Sequence, residues 1–260
     1  MNKGPLGGAR ILVTRPDDQS GELIAAIEAA GGEAIRFPVI RIVPRDAADT
    51  ARDLGTIVRP DIIIFVSRNA VVHGLGCLRD FGAAIAAVGP ATASAIEAAG
   101  VRVDILPTVA FDSEHLLETP ELRDVAGKGV LIIRGETGRE LIADTLSRRG
   151  ASVSYLPVYR RERNELPARQ ILAIARDLGA LRIDAVTVMS VETLEALLAL
   201  LPRNAHAALR ETLLVAPGDR VIQTAAELVP GMPAIRAAGP SAADIVNALI
   251  EWRTPDKPDD

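Results

Sequence analysis

ILVTRPDDQSGELIAAIEAAGGEAIRFP, residues 11–38, and VLIIRGETGRELIADTLSRRGASVSYLP, residues 130–157, are two renderings of one pattern. Each runs from an apolar stretch through an Arg-centred turn, a helix-period segment, a small-residue break and a second apolar stretch to a proline, which is the order of a β-α-β unit. A second pair, DIIIFVSRNAV at 61–71 and DAVTVMSVETL at 184–194, repeats an apolar strand that ends in Ser67 or Ser190 and runs straight into a helix. Two matched α/β halves predict two lobes with a ligand-handling cleft between them.

Short Val/Ile/Leu-rich runs with little alternation predict strands at 11–14, 61–66, 85–88, 130–133, 185–189 and 213–216, covered on both faces by helices. Helical patterns fall between them at 21–30, 91–99, 139–149, 191–201 and 242–252, so the fold class is α/β with doubly wound parallel sheets. Thr137 with Glu140 fits a capping box, Ser241 with Asp244 comes close to one, and Asp112 or Ser113 opens a short helix at 115–118. PVIRIVPR at 38–45 and PVYRRER at 157–163 hold the same place after each β-α-β unit and read as extended segments. Paired side by side, they make a two-stranded ladder on which the chain crosses between lobes. Lobe one then takes residues 1–39 and 165–252, lobe two takes 43–158, and 253–260 is a polar tail without periodicity.

Composition narrows the function. Aromatic residues are 3% of the chain and the formal charge is -5, which supplies neither stacking platforms nor a phosphate-tracking surface, so nucleic acid is excluded as a partner. No apolar stretch approaches the roughly 18 residues of a membrane span, and no signal peptide is evident; the expectation is a cytoplasmic monomer. The single cysteine, Cys77, has apolar neighbours and reads as a small packed hydrophobe. His73, His115 and His206 lie far apart in sequence, without ligand spacing, so no metal is expected. P-loop, GxSxG, HExxH and dinucleotide signatures are missing.

What remains is a set of strand-to-helix turns rich in hydroxyls, glycines and arginines: Thr14-Arg15, Ser67-Arg68-Asn69, Gly89 to Thr92, Arg134-Gly135 to Arg139, and Ser190. In open α/β sheets these turns lie at the carboxyl ends of strands, where helix N-termini offer free N–H groups to carboxylates or phosphates. Taken singly, Ser67, Thr92 and Ser190 read first as N-caps, each worth about 1 kcal/mol; repetition of the same chemistry in both halves is what points to a ligand. Tyr159, one of two tyrosines, has Arg160 and Arg161 beside it. A phenol there can donate a proton to a leaving hydroxyl, or it can simply pack between strands.

At these residues the chain resembles the uroporphyrinogen-III synthase family. The resemblance spans about residues 9–250 and is carried by ILVTRP, the GG break before FPVI, DIIIFVSRNAV, AAVGPATASAIEAAG, DSEHLL, VLIIRGETGRELIADTLSRRGASV leading into PVYRR, DAVTVMSVETL and PSAADIVNAL. It implies two α/β lobes joined by a two-stranded ladder and a cofactor-independent lyase. The implied substrate is a linear tetrapyrrole bearing acetate and propionate groups on every ring. Loss of water from its hydroxymethyl group and formation of a spiro-pyrrolenine would close the macrocycle with ring D inverted. The motif match implies Tyr159 as proton donor. It implies Thr92, Ser67, Ser190 and Arg139 as substrate contacts, to which the turns themselves add Thr14, Arg15, Asn69, Gly89, Arg134 and Gly135 as candidates; transient contact with the preceding pathway enzyme is a further expectation. The turn APGDRV at 216–221 departs from the family's pattern, since Asp219 would repel the substrate unless Arg220 offsets it. A non-catalytic two-lobe sensor is the rival reading.

Overall fold

The computed structural model describes residues 4–78 and 82–254. In chain order the elements are β1 (Arg10–Val13), α1 (Asp17–Ala29), β2 (Glu33–Arg36), β3 (Ile40–Pro44), α2 (Ala47–Thr56), β4 (Ile62–Phe65), α3 (Arg68–Gly74), β5 (Ala84–Ala87), α4 (Pro90–Ala98), α5 (Ser113–Leu117), α6 (Pro120–Arg123), β6 (Gly129–Gly135) and α7 (Leu141–Arg148). Then come β7 (Ser152–Arg163), α8 (Ala168–Gly179), β8 (Ala185–Thr187), α9 (Val191–Leu200), α10 (Arg203–His206), β9 (Leu213–Ala216), α11 (Asp219–Leu228), β10 (Ala234–Arg236) and α12 (Ala242–Arg253). Two units result: one joins the chain up to Arg41 to the chain from Glu162, and the other holds Ile42–Arg161. Arg253, where the polar tail was expected to begin, closes α12; residues 255–260 lie outside the described residues.

The first unit carries a five-stranded sheet, β10-β9-β8-β1-β2, parallel throughout. Its two faces are separate cores: Leu12, Val186 and Leu214 point to one, Ile11, Val13, Ala185 and Val215 to the other. The second unit's sheet is β3-β7-β6-β4-β5, of which β7, β6, β4 and β5 are parallel. Ile62 and Ile64 face one core and Ile63 and Phe65 the other, and all four are buried. Burial on both faces is why these strands are uninterrupted apolar runs.

The parallel strands of both sheets share one order, with the first strand flanked by the second on one side and the third on the other. That reversal makes a switch point between β1 and β8 in one unit and between β4 and β6 in the other, the place where an open α/β sheet leaves a crevice at its carboxyl end. The repeated break after the first helix also serves one purpose twice. Gly31 (φ 81°) and Gly150 (φ 87°) end α1 and α7 in the left-handed region, which lets the chain turn back into the next strand.

β3 runs antiparallel to β7. Arg45 N–H donates to Val158 O (3.0 Å) and Asn164 N–H to Val39 O (2.9 Å), so residue numbers fall along one strand as they rise along the other. Both passages between units, after Arg41 and after Arg161, therefore fall within this strand pair, which is the ladder read from the two proline segments.

Helix starts follow the capping signals with two exceptions. Ser67, Asp112, Ser190 and Ser241 each accept a backbone N–H of the first turn, and Ser241 with Asp244 completes a capping box. Thr137 and Glu140 do not form one. α7 begins only at Leu141, with Glu140 in helical conformation and no side-chain cap, because the Glu140 carboxylate is engaged elsewhere. Thr92 is also no cap: Gly89 holds that position ahead of Pro90, and Thr92 is buried within the first turn of α4. Cys77 is exposed, contrary to the packed position expected, because it ends a 3-10 turn, Leu75–Cys77, that follows α3.

Candidate functional site

A collection of polar side chains in the second unit stands at the switch point between β4 and β6. β4 delivers Ser67, whose extended backbone starts α3 and whose Oγ accepts from Ala70 N–H at 3.1 Å. β6 delivers Arg134 and Gly135, and β7 delivers Tyr155 and Tyr159. Together with Thr137, Gly138, Arg139 and Arg161 they line a hollow of about 180 Å³.

A β-bulge aims the two tyrosines. Pairing of β6 with β7 is regular up to Arg134 opposite Pro157, then slips so that Gly135 meets Tyr159. Alternation would put residues 155 and 159 on one face of the strand. With the extra residue Tyr159 instead joins Leu156 and Val158 on one core face, while Tyr155 stays with Val153 on the other. Bulges re-aim side chains next to functional sites in this way.

Tyr159 is 3% exposed. Its hydroxyl lies 3.2 Å from Ser67 Oγ, and its ring centroid 6.0 Å from that of His73. Gly135 makes room for it: a Cβ there would sit 2.9 Å from Tyr159 Cε2 and 3.0 Å from Cζ.

On the other side of the hollow, Arg134 is buried, with Nη1 3.0 Å from Glu140 Oε1 and its guanidinium 4.6 Å from the centre of the Tyr155 ring. The Tyr155 hydroxyl donates to Glu140 Oε2. Burial first, and then the Glu140 carboxylate, push the Tyr155 phenol up to about 12. The same phenol's hydrogen bond, with help from Arg134, lowers the Glu140 carboxyl. Arg139 reaches Glu114, which sits two residues from Asp112, whose carboxyl is lowered chiefly by the His115 backbone N–H.

Among the residues expected from sequence, Ser67, Arg134, Gly135, Arg139 and Tyr159 line this one hollow. Asn69, Gly89 and Thr92 are in the same unit and do not line it; Asn69 and Thr92 are buried in the first turns of α3 and α4. Thr14, Arg15 and Ser190 belong to the first unit, at its own switch point. There Thr14 is fully buried and donates to Thr187 O at 2.6 Å, and Ser190 caps α9 through Thr193 N–H. Arg15, the repeat equivalent of Arg134, donates to Pro240 O and approaches Met189 Sδ at 3.0 Å, and its Nε is buried without a hydrogen-bond partner among the described residues. Burial lowers its guanidinium pKa, with Glu22 opposing. In the APGDRV turn the cation that meets Asp219 is Arg236, 3.0 Å away, and not Arg220, because Asp219 opens α11 beside the end of β10.

Glu140 and Tyr155, which border the hollow, were not legible as candidate site residues. The bulge that separates Tyr155 from Tyr159 leaves no sequence mark beyond Pro157, and Glu140 reads as half of a capping box. No group of three or more His, Cys, Asp or Glu among the described residues could hold a metal ion, and no helix among them is long and apolar enough to cross a membrane.

Two doubly wound α/β units on one chain, with the first unit interrupted by the second, each closing on a turn cluster at its switch point, define a class of two-lobed α/β protein. The chain belongs to the uroporphyrinogen-III synthase family: residues 21–247 match the family model described as uroporphyrinogen-III synthase HemD. It is 33% identical over 227 residues to the uroporphyrinogen-III synthase of Escherichia coli, covering 84% of this chain and 91% of that protein. The counterpart from Synechococcus elongatus is 35% identical over 187 residues, 67% of this chain and 69% of that one. The solved uroporphyrinogen-III synthetase of Helicobacter pylori has the same fold, with a TM-score of 0.61 over 94% of this chain and 99% of that one at 15% identity.

Proposed function

We propose that this chain is a lyase of porphyrin biosynthesis that cyclises hydroxymethylbilane to uroporphyrinogen III, inverting ring D and releasing water. The observation that carries the reading is family membership combined with a buried tyrosine whose hydroxyl borders a hollow lined by arginines and Ser67.

In this reading the Tyr159 hydroxyl protonates the departing hydroxyl of the substrate, the C–O bond breaks, and water leaves behind an azafulvene cation. The substituted carbon of ring D attacks that cation to form a spiro-pyrrolenine. This intermediate fragments and recloses through the alternative carbon, and the proton lost on rearomatisation balances the one donated. Pyrrole nitrogens supply the electron push, so the protein's contribution is to fold the chain into a near-closed conformer and assist the leaving group. No cofactor enters the scheme. Ser67, Arg134, Gly135, Arg139, Asn69, Gly89 and Thr92 from the second unit, and Thr14, Arg15 and Ser190 from the first, are proposed to contact the substrate. The protein is proposed to act as a cytoplasmic monomer that takes its short-lived substrate from the preceding enzyme.

Enzymatically generated hydroxymethylbilane closes spontaneously to isomer I. Adding the protein should divert the product to isomer III, and product that stays isomer I at saturating protein refutes the proposal in favour of a non-catalytic sensor.

A further inference from the structure

The contact between Ser67 and Tyr159 is compatible with either hydroxyl as donor, and the choice decides what the phenol can do. Tyr159 is fixed independently of that bond. Glu136 N–H donates to its carbonyl at 2.9 Å across the bulge, and a Cβ at Gly135 would stand 3.3 Å from the hydroxyl oxygen, so the glycine closes one flank. On another flank stands Ser67 Oγ, 3.2 Å away and the hydroxyl's one hydrogen-bond partner among the described residues. Ser67 Oγ already accepts from Ala70 N–H at 3.1 Å. A serine hydroxyl has one hydrogen, and accepting an N–H polarises it towards giving that hydrogen; an outgoing bond is strengthened and a second incoming one is not. The length agrees. A phenol that donates to an alcohol oxygen makes a bond of about 2.7–2.8 Å, whereas a phenol oxygen, its lone pair drawn into the ring, is a weak acceptor and holds its donor further off.

We infer that Ser67 donates to Tyr159 and is a positioning residue for the proposed acid: an incoming bond holds the phenol oxygen, and the phenol's own hydrogen is left to the hollow that both residues line. This rests on the proposed proton transfer from Tyr159. When that hydrogen passes to the departing hydroxyl of the substrate, the C–O bond breaks, water leaves and a phenolate remains, with the Ser67 O–H already aimed at the oxygen where the charge appears. Ser67 keeps its proton throughout, and the proton released on rearomatisation restores the phenol. The reverse arrangement would tie the acid's hydrogen to Ser67, and that bond would have to break before reaction. Ser67 can still touch the substrate from the wall of the hollow, but its single hydrogen goes to Tyr159 and not to a substrate carboxylate, so its effect falls on kcat and not on KM.

Two measurements test the direction of this bond, one of them without substrate. In Tyr155→Phe protein Tyr159 is the sole tyrosine, and the intensity ratio of its Raman ring doublet separates a phenol that accepts a hydrogen bond from one that only donates. The doublet should show an accepted bond, and adding Ser67→Ala should remove it; a phenol that only donates, or a doublet indifferent to Ser67→Ala, overturns the inference. In kinetics with hydroxymethylbilane, Ser67→Ala should lower kcat about ten- to hundredfold, as expected for loss of a hydrogen bond to a charged group, with KM within about twofold. Ser67→Thr, which keeps the hydroxyl, should recover most of the loss, and Ser67→Ala should add nothing in Tyr159→Phe protein. Ser67→Asp separates this role from capping: a carboxylate caps a helix as well as serine does but has no hydrogen to give, so this variant should melt near wild type and turn over as slowly as Ser67→Ala. A kcat that follows the melting temperature through these variants, or a rise in KM alone, leaves Ser67 a cap or a substrate contact and overturns the inference. An accepted bond at Tyr159 in a protein that makes no isomer III sinks the proposed activity and spares the bond; isomer III formed at the wild-type rate by Ser67→Ala does the reverse.

Discussion

Replacing Tyr159 by phenylalanine separates chemistry from packing more cleanly than any other single change in this chain. The ring stays: it is buried on the face of Leu156 and Val158, and a phenylalanine fills the same volume. What disappears is one hydroxyl and its 3.2 Å contact with Ser67 Oγ, which is long for an O–H···O bond. Ser67 keeps its other partner, the Ala70 N–H at 3.1 Å, so the α3 cap survives. The stability lost is therefore about 1 kcal/mol, a fall in Tm of about 2–4 °C for a protein of this size. Loss of a general acid costs about 10²–10⁴ in rate, or about 3–5 kcal/mol of barrier. The two effects differ enough to be read apart. Purified Tyr159→Phe protein should melt within a few degrees of wild type and form isomer III at least about a hundredfold more slowly when supplied with fresh hydroxymethylbilane. A variant that turns over at the wild-type rate would show that Tyr159 only packs, and the proton must then come from elsewhere.

Three further outcomes follow from the same geometry. Gly135→Ala drives a methyl to 2.9 Å from the Tyr159 ring, and should cost about 1–3 kcal/mol in thermal or urea unfolding together with a loss of turnover, since the ring that must move carries the proposed acid. In Tyr159→Phe protein Tyr155 is the sole tyrosine, and ultraviolet titration should find it near about 12 and not near 10. Because that folded-state value lies above the unfolded one, the neutral phenol stabilises the fold in full below pH about 10 and the contribution fades as pH rises through about 12; an ordinary titration near 10 would break the Tyr155-Glu140 bond as drawn. Ser241→Ala removes the α12 capping box and should cost about 1 kcal/mol in unfolding with isomer III formation unchanged; an undiminished melting temperature would argue against that cap.

The architecture was readable because its signals are local and repeated. Runs such as Ile62 to Phe65 need no long-range information to declare a strand covered on both faces, and the copied turn at Arg15 and Arg134 announces the duplication. Side-by-side pairing of the two proline segments was legible for the same reason: each follows an equivalent unit. The candidate hydroxyls were harder. Ser67, Thr92 and Ser190 look alike in sequence, yet Ser67 caps a helix and also meets Tyr159, Ser190 is engaged in capping with Thr193, and Thr92 is buried behind Gly89 and Pro90. Only tertiary position distinguishes them.

Glu140 shows why local grammar misleads at a site. Its spacing from Thr137 satisfies a capping rule worth about 1 kcal/mol, but a buried guanidinium without a counter-charge costs several. The ion pair therefore prevails over the cap: Glu140 turns to Arg134, the first turn of α7 is left uncapped, and the helix starts one residue beyond it. The bulge in β7 is the matching irregularity on the neighbouring strand, and it sends Tyr155 to that ion pair and Tyr159 to Ser67. A regular ladder would have put both phenols on one face and left the other face of the hollow without one. Two departures from ideal local structure, an unused cap and one extra residue, thus place a buried cation and a buried phenol along a single 180 Å³ hollow. Departures that cost stability locally and converge on one place are what a binding site is expected to look like in an otherwise regular sheet.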